Sequence, residues 1–411
     1  MIDLKLIRDN PDLVHKAVDS RQTKAPIDEI LETDHLRREK TAELDELRRQ
    51  RKEQSKQRVD PEAGRALRER IATLEEILRT LDEQLQTYLL QVPNIPQASI
   101  PQGTSEDDNI VLRYCGDVRE FDFEVKPHWE LGENLGIIDF DRGVRLSGTR
   151  FYVLKELGAR LQRSLISLFL DLHTRKHGYK EMYLPFLVKK EILYGSGNLP
   201  KFADNLYRDA IDDLWLVPTA EVPLTSLHSG EILSNDQLPI NYCAYTACFR
   251  REKMSAGKDT RGIKRGHQFD KVELYKFTEP DKSNEELEKL LDDAEDIARA
   301  LGLPYRIKQL CTADIGFASS KSYDIEIWAP GIKEWLEVSS CSNCWDFQAR
   351  RANIRYRRAS DSKVDFVHTL NGSGLALPRV LIALLENYQQ PDGSIAVPEA
   401  LWPYMGTNVI K

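Results

Sequence analysis

Apolar residues recur in this chain with two different periods, and the change of period divides it into two parts. Residues 1–20 predict a short helix followed by a second one opened by Asn10-Pro11-Asp12. From about 27 to 58 the chain is nearly free of Gly and Pro and rich in Leu, Glu, Lys and Arg. A second such run covers about 62–92. In it Leu67, Ile71, Leu74, Leu78, Leu81, Leu85, Tyr88 and Val92 alternate steps of four and three, a heptad seam that predicts a coiled coil. Val59-Asp60-Pro61-Glu62 can turn the chain between the runs, so the two helices are expected to pair with each other, antiparallel. The first helix has the poorer seam: Ile27, Ile30, Leu31, Leu44 and Leu47, then no aliphatic residue until Val59. At about 1.5 Å per residue, such helices make an arm roughly 45 Å long.

Beyond Val92-Pro93-Asn94-Ile95-Pro96 the pattern changes, and residues 101–109 are polar and turn-rich. The expected division is an N-terminal domain of residues 1–105, with its helical hairpin at about 27–92, and a second domain of residues 106–411. In the second, 151–177 reads as a long amphipathic helix. Short strand-like runs follow at 214–217, 242–250, 271–277, 323–328 and 335–340, with helices expected at about 283–301 and 375–388. Strands that succeed one another with few crossover helices predict an α+β fold with a mostly antiparallel sheet flanked by helices.

Composition narrows the class. A chain of 411 residues is too long for one ordinary core, and 41% hydrophobic with 30% charged residues reads as globular. No apolar run approaches the length of a membrane span. The start, Met1-Ile-Asp-Leu-Lys-Leu, lacks the basic and long apolar regions of a signal peptide, so a cytoplasmic location without membrane contact is expected. Six cysteines are too sparse for a disulfide framework and fit a reducing compartment. The net charge of −8 argues against a protein coated in nucleic acid, but the distribution is uneven. Arg48, Arg49, Arg51, Lys52, Lys56, Arg58, Arg65, Arg68 and Arg70 face only four acids in the same stretch, which makes the arm's tip a candidate phosphate-binding footprint. An oligomerisation coiled coil is the competing reading. The weak, positively charged distal seam suits a polyanion better than a partner helix.

The densest chemical signal is Cys248-Phe-Arg-Arg-Glu252, a polar loop, then Thr260-Arg-Gly-Ile-Lys-Arg-Gly-His-Gln-Phe269-Asp-Lys-Val-Glu273. Alternate strand positions share a face, so Arg265, His267, Phe269 and Glu273 can line one surface. Cations, an aromatic ring and a carboxylate together could hold phosphate, purine and ammonium; charged, half-exposed strands are also common without any such role.

This segment resembles motif 2 of the class II aminoacyl-tRNA synthetases, and residue for residue that of the seryl-tRNA synthetase family. Tyr179 to Pro185 is similar to motif 1, the dimer-interface element. Pro218-Thr219-Ala220-Glu221 resembles the family's serine-contacting loop. Glu337-Val-Ser-Ser340 resembles its metal and ATP strand. Asn371-Gly-Ser-Gly374 to Arg379, read as a glycine turn opening a helix, resembles motif 3. The N-terminal hairpin matches the arm by which the family grips tRNA, so the resemblance covers essentially the whole chain.

The resemblance implies an enzyme that activates L-serine with ATP and Mg²⁺ and transfers it to tRNA(Ser), with tRNA(Sec) a further acceptor. It implies a homodimer in which one subunit's arm holds tRNA whose acceptor end enters the other subunit's site. Arg250 and Arg379 are then the catalytic cations, Arg250 on the α-phosphate, and Arg265 joins Arg379 at the γ-phosphate. Phe269 would stack on adenine with Arg379 over its other face, and Glu252 would accept from the adenine amino group. Arg251, Gly266, Val338 and Ser339 complete the ATP contacts. Glu337 and Ser340 would hold Mg²⁺. Thr219, Ala220, Glu221, Arg250, Glu273 and Ser373 would bind serine, and a site that hydrogen-bonds a hydroxyl rejects analogues lacking it by about 10⁴–10⁵ at best. No covalent nucleophile is implied: positioning and electrostatics carry chemistry at phosphorus.

Some readings fail. Lys253-Met254-Ser255 lies inside motif 2 and lacks the final lysine of the class I signature it resembles. Cys341 and Cys344 have metal-ligand spacing but no second pair nearby, and no zinc is expected. Gly266, Ala313 and Trp345 depart from the residues usual in the family. Two rivals remain: a ligase loading an amino acid onto a carrier protein, which would lack the basic hairpin, and a non-catalytic RNA-binding paralogue, which would have lost its ATP-site groups.

Overall fold

The computed structural model describes residues 1–55, 61–253 and 261–411. The chain forms two compact units, Met1–Ile95 and Pro96–Lys411. In the first, α1 (Leu4–Asp9) and α2 (Pro11–Ser20) precede two long helices, α3 (Ile27–Gln54) and α4 (Pro61–Leu89). The Asp3 carboxylate caps α1 by accepting from Lys5 N–H at 2.7 Å, and Pro11 opens α2 where its missing N–H costs nothing.

Two ion pairs between α3 and α4, Arg37 with Asp82 and Arg48 with Glu75, run in opposite chain directions, and Glu43 also pairs with Arg70. The pair is therefore an antiparallel hairpin. Leu44 and Leu47 interdigitate with Leu67, Ile71, Leu74 and Leu78. Of the expected seam, Leu67, Ile71, Leu74, Leu85 and Val92 are buried, whereas Leu78, Leu81 and Tyr88 are only half-buried. The poorer seam of α3 is supplemented by a polar contact. Asp34, 2% exposed, accepts from Arg8 of α1 at 2.8 Å and from Arg37 at 3.2 Å. Burial alone would raise the Asp34 pKa, but the two guanidinium groups hold it below the usual carboxylate range.

In the second unit an eight-stranded sheet comprises β1 (Ile110–Cys115), β2 (Lys180–Glu181), β3 (Ile240–Phe249), β4 (Gln268–Thr278), β5 (Tyr305–Gln309), β6 (Lys321–Ala329), β7 (Glu334–Asn343) and β8 (His368–Ala376). The order is β1-β5-β6-β7-β8-β4-β3-β2, and every pairing is antiparallel except β2 with β3. Residues 96–105 join this unit: Gln97 N–H donates to Ser320 O at 2.9 Å and Thr312 N–H to Pro101 O at 3.0 Å.

Three helices, α5 (Glu156–Arg175), α6 (Ser283–Ala300) and α7 (Leu377–Asn387), cover the sheet. On α6, Leu287, Leu290, Leu291, Ala294, Ile297 and Ala298 recur at helical spacing and are all buried, in one core with Val272 and Leu274 of β4 and Cys341 of β7. Since strand residues alternate faces, packing Val272 and Leu274 against helices leaves Phe269, Lys271 and Glu273 on the other side.

Two bulges modify that alternation. Between β6 and β7, Ile325 pairs with Ser339 but Glu326 with Glu337, so Val338 is an extra residue. Between β8 and β4, Ser373 pairs with Glu273 but Ala376 with Lys271. Glu337 and Ser340, three apart, would point to opposite faces of a regular strand. The bulge brings both to the uncovered face.

Candidate active site

That uncovered face holds a cavity of about 640 Å³. Motif 2 contributes Arg250, Glu252, Lys264, Arg265, Gly266, Phe269, Lys271 and Glu273 to its lining, β7 contributes Glu337, Val338 and Ser340, β8 contributes Asn371 and Ser373, and α7 contributes Arg379. Glu221, from the short helix Glu221–Ser226, completes one end. Five cations (Arg250, Lys264, Arg265, Lys271, Arg379) meet four carboxylates (Glu221, Glu252, Glu273, Glu337), a balance suited to a polyanion beside a small cation.

At one end, Thr219 Oγ1 donates to Glu273 Oε2 at 2.6 Å, and the Lys271 ammonium ion-pairs with the same oxygen. All three side chains are buried. Glu221 Oε1 accepts from Gln348 Nε2 at 2.7 Å and Asn371 Nδ2 at 3.2 Å. Burial, reinforced by the Glu273 charge, pushes the Glu221 pKa up to about 7 against the opposing pull of Lys271. The two carboxylates that line this end of the cavity have the chemistry to receive an ammonium group.

At the other end, the Arg379 guanidinium donates to the Glu337 carbonyl at 2.5 Å and lies 3.2 Å from its carboxylate. Cavity solvent reaches nearly half of the Glu337 side chain, yet protein surrounds it. Burial would raise its pKa, and Arg379, with Arg250 and Lys271 behind it, holds it below the ordinary range. Across the strands Asp324 pairs with Ser340. Burial, then the Glu337 charge, raises its pKa well above normal, and Asp324 Oδ1 has no hydrogen-bond partner among the described residues. Arg265 lies 3.8 Å from Glu252, whose backbone adopts a left-handed φ of +50° at a cost of about 1 kcal/mol.

Between the ends, Arg250 Nε donates to Pro218 O at 3.2 Å and its guanidinium lies 5.1 Å from the Phe269 ring centroid. The cation over Phe269 in this structure is thus Arg250. A Cβ on Gly266 would sit 3.0 Å from Gln268 O and 3.4 Å from the Tyr152 ring, so a larger residue there would require these neighbours to shift.

Four of the sequence-derived residues stand behind the cavity wall rather than on it. Arg251 donates to Leu206 O at 2.9 Å and covers Tyr207. Ala220 is fully buried, Thr219 reaches the site through Glu273, and Ser339 Oγ donates to Ser373 O at 2.6 Å, tying β7 to β8. Ser373 lies in strand β8, not in a glycine turn. Its flanking glycines are there because side chains would collide, at 2.5 Å with Leu290 Cδ2 for Gly372 and at 2.6 Å with His173 Nε2 for Gly374. His267 precedes the strand and turns away, its Nδ1 3.0 Å from Arg250 O. Cys341 and Cys344 are buried and unbridged, and among the described residues no group of three or more His, Cys, Asp or Glu could hold a metal.

Sequence reasoning missed Lys271, Asn371 and Gln348. Lys271 shares the parity of Phe269 and Glu273 and was findable by that signal. Gln348, on the short helix Phe347–Ala352, meets the site through tertiary packing alone. On the arm, Arg48, Arg49 and Arg65 are exposed and paired with Glu75, Glu46 and Glu69, while Arg51, Lys52 and Arg68 are exposed. Lys56, Arg58, the expected turn at 59–60 and residues 254–260 of the motif 2 loop lie outside the described residues.

Comparison with known proteins gives concordant matches. The family described as "Seryl-tRNA synthetase N-terminal domain" matches residues 1–96, and "tRNA synthetase class II core domain (G, H, P, S and T)" matches residues 202–388. A serine–tRNA ligase of Dehalococcoides mccartyi is 66% identical over 413 residues, covering 100% of both chains. One from Thermomicrobium roseum is 57% identical, covering 99% of this chain and 94% of its own. Among solved structures, seryl-tRNA synthetase from Pyrococcus horikoshii complexed with ATP superposes with a TM-score of 0.93 at 38% identity, covering 100% of this chain and 99% of that one.

Proposed function

We propose how the site works from the premise that this chain belongs to the class II seryl-tRNA synthetases: it is a serine–tRNA ligase that activates serine with ATP and charges tRNA. The observation that carries the site reading is convergence. Arg250, Arg265 and Arg379, far apart in sequence, line one cavity beside the Thr219–Glu273–Glu221 cluster.

Serine's ammonium sits against Glu273 and Glu221, and its hydroxyl meets Ser373. Its carboxylate then points at the α-phosphorus of an ATP bent between Arg250 and Arg379. As the carboxylate oxygen attacks, charge builds on the equatorial phosphate oxygens. Arg250, fixed by Pro218 O and Phe269, donates two parallel hydrogen bonds to them without reorganising. Adenine lies on Phe269 with its amino group toward Glu252. Pyrophosphate leaves toward Arg265 and Arg379.

The donor set fits Mg²⁺, which prefers oxygen ligands and keeps several from water or phosphate. Glu337 and Ser340 would hold it, next to the unpartnered buried oxygen of Asp324. When bound it supplies charge neutralisation for the phosphates.

The arm's exposed Arg48, Arg49, Arg51, Lys52, Arg65 and Arg68 bind the tRNA backbone, and tRNA(Sec) is accepted with tRNA(Ser). The enzyme acts as a cytoplasmic homodimer. Tyr183, 92% exposed within the motif 1 segment, suits a partner surface, and no helix among the described residues is long and apolar enough to cross a membrane. Light scattering checks the dimer, and charging of each tRNA transcript checks the acceptors. Serine-dependent exchange of pyrophosphate into ATP with Mg²⁺ tests the site. No exchange with serine would overturn it.

A further inference from the structure

His128 and Glu386 form a buried pair that no role above uses. Glu386 lies on α7 with no exposed surface, and His128, 1% exposed, opens the short helix His128–Asn134. Glu386 Oε1 accepts from the His128 backbone N–H at 2.9 Å and lies 2.9 Å from His128 Nδ1. Its other oxygen accepts from Gly331 N–H at 2.8 Å and Ile332 N–H at 3.1 Å, in the turn between β6 and β7. The far ring nitrogen, His128 Nε2, accepts from Ile263 N–H at 3.2 Å. One tautomer satisfies all of this: Nδ1–H donates to Glu386, and the bare Nε2 accepts.

The three segments gathered here each lead into the phosphate end of the cavity. Ile263 is two residues before Arg265. The β6–β7 turn feeds the strand carrying Glu337 and Ser340. The helix holding Glu386 begins beside Arg379. Gly262, at φ +78°, lies so close that a Cβ there would come within 2.2 Å of His128 Nε2. Arg261 over the Trp129 ring at 4.7 Å and the Lys264–Glu334 ion pair fasten the same stretch.

We propose that His128 and Glu386 are positioning residues for ATP: the pair sets the placement of Arg265, Glu337 and Arg379 relative to one another through Ile263, the β6–β7 turn and α7. This rests on the assignment of those three side chains to the nucleotide. A buried carboxylate is costly to keep, and its four N–H donors are what hold it. Serine's ammonium end is built from other segments, so the pair acts on ATP and not on serine.

The test separates the two ring nitrogens in the full-length enzyme. In His128→Asn the amide nitrogen can replace Nδ1, but nothing reaches Ile263. In His128→Gln the amide oxygen can replace Nε2 as acceptor. Serine-dependent exchange is measured with ATP and serine varied in turn, alongside thermal unfolding. H128N should raise KM for ATP about tenfold, and H128Q less than about threefold, with KM for serine changed less than about twofold in both. Equal effects of the two variants, no effect, or an equal rise in both KM values would overturn the proposal. If both variants unfold, Gly262→Ala takes their place: it should raise KM for ATP selectively, and an unchanged KM would be equally fatal. Wild-type exchange is the control, since its absence would refute the site assignment itself, whereas its presence with indistinguishable variants refutes only this role.

Discussion

Replacing Lys271 by Met removes a charge while keeping the length of the side chain. Lys271 is 9% exposed and Glu273 2%, and their ion pair is shielded from water. The substitution leaves Glu273 with the Thr219 hydroxyl as its directly bonded partner at 2.6 Å. Breaking a buried pair from one side costs about 3–5 kcal/mol, because the remaining charge is uncompensated. For a chain this large about 1.2 °C is lost per kcal/mol, so calorimetry should show melting lowered by roughly 4–6 °C. Lys271→Arg, which keeps the charge, should lose far less. A Lys271→Met protein melting within about 2 °C of wild type would refute the view that this pair holds the site's charge balance.

Arg250→Ala should lower serine-dependent exchange by about 10²–10³ or more, and a loss under tenfold would contradict its placement on the transferring phosphate. Because the Glu221 pKa is raised to about 7, serine should bind better as pH rises through that value and the carboxylate ionises. Glu221→Gln should flatten the dependence of serine KM on pH, and an unaltered profile would exclude Glu221 from ammonium binding. Exchanging Arg48, Arg49, Arg51 and Lys52 together for Gln should weaken tRNA charging and its salt dependence but leave exchange unchanged. Equal loss in both assays would remove the arm from tRNA recognition.

How much was legible in the sequence depended on the range of the forces involved. The hairpin followed from local periodicity, since a heptad seam states its partner surface directly. The strand runs carrying Arg250, Phe269 and Glu273 were legible for the same reason. Parity extended upstream of Gln268 failed, because His267 stands outside the regular strand. The glycines around Ser373 looked like a turn, and only the approach of Leu290 and His173 shows them packed in a strand. The partners of His128 lie 135 and 258 residues away, beyond any local pattern.

The extra residue at Val338 acts as a change of phase along β7. Before it, even-numbered side chains such as Leu336 enter the core; after it, odd-numbered ones such as Cys341 do. One strand thereby serves two registers, holding the core's rhythm at both ends while shifting the readout on the solvent side. Loss of a single codon there would straighten the ladder and rotate either the acid or the thiol to the wrong side, so this strand should tolerate exchange of side chains far better than any alteration of length.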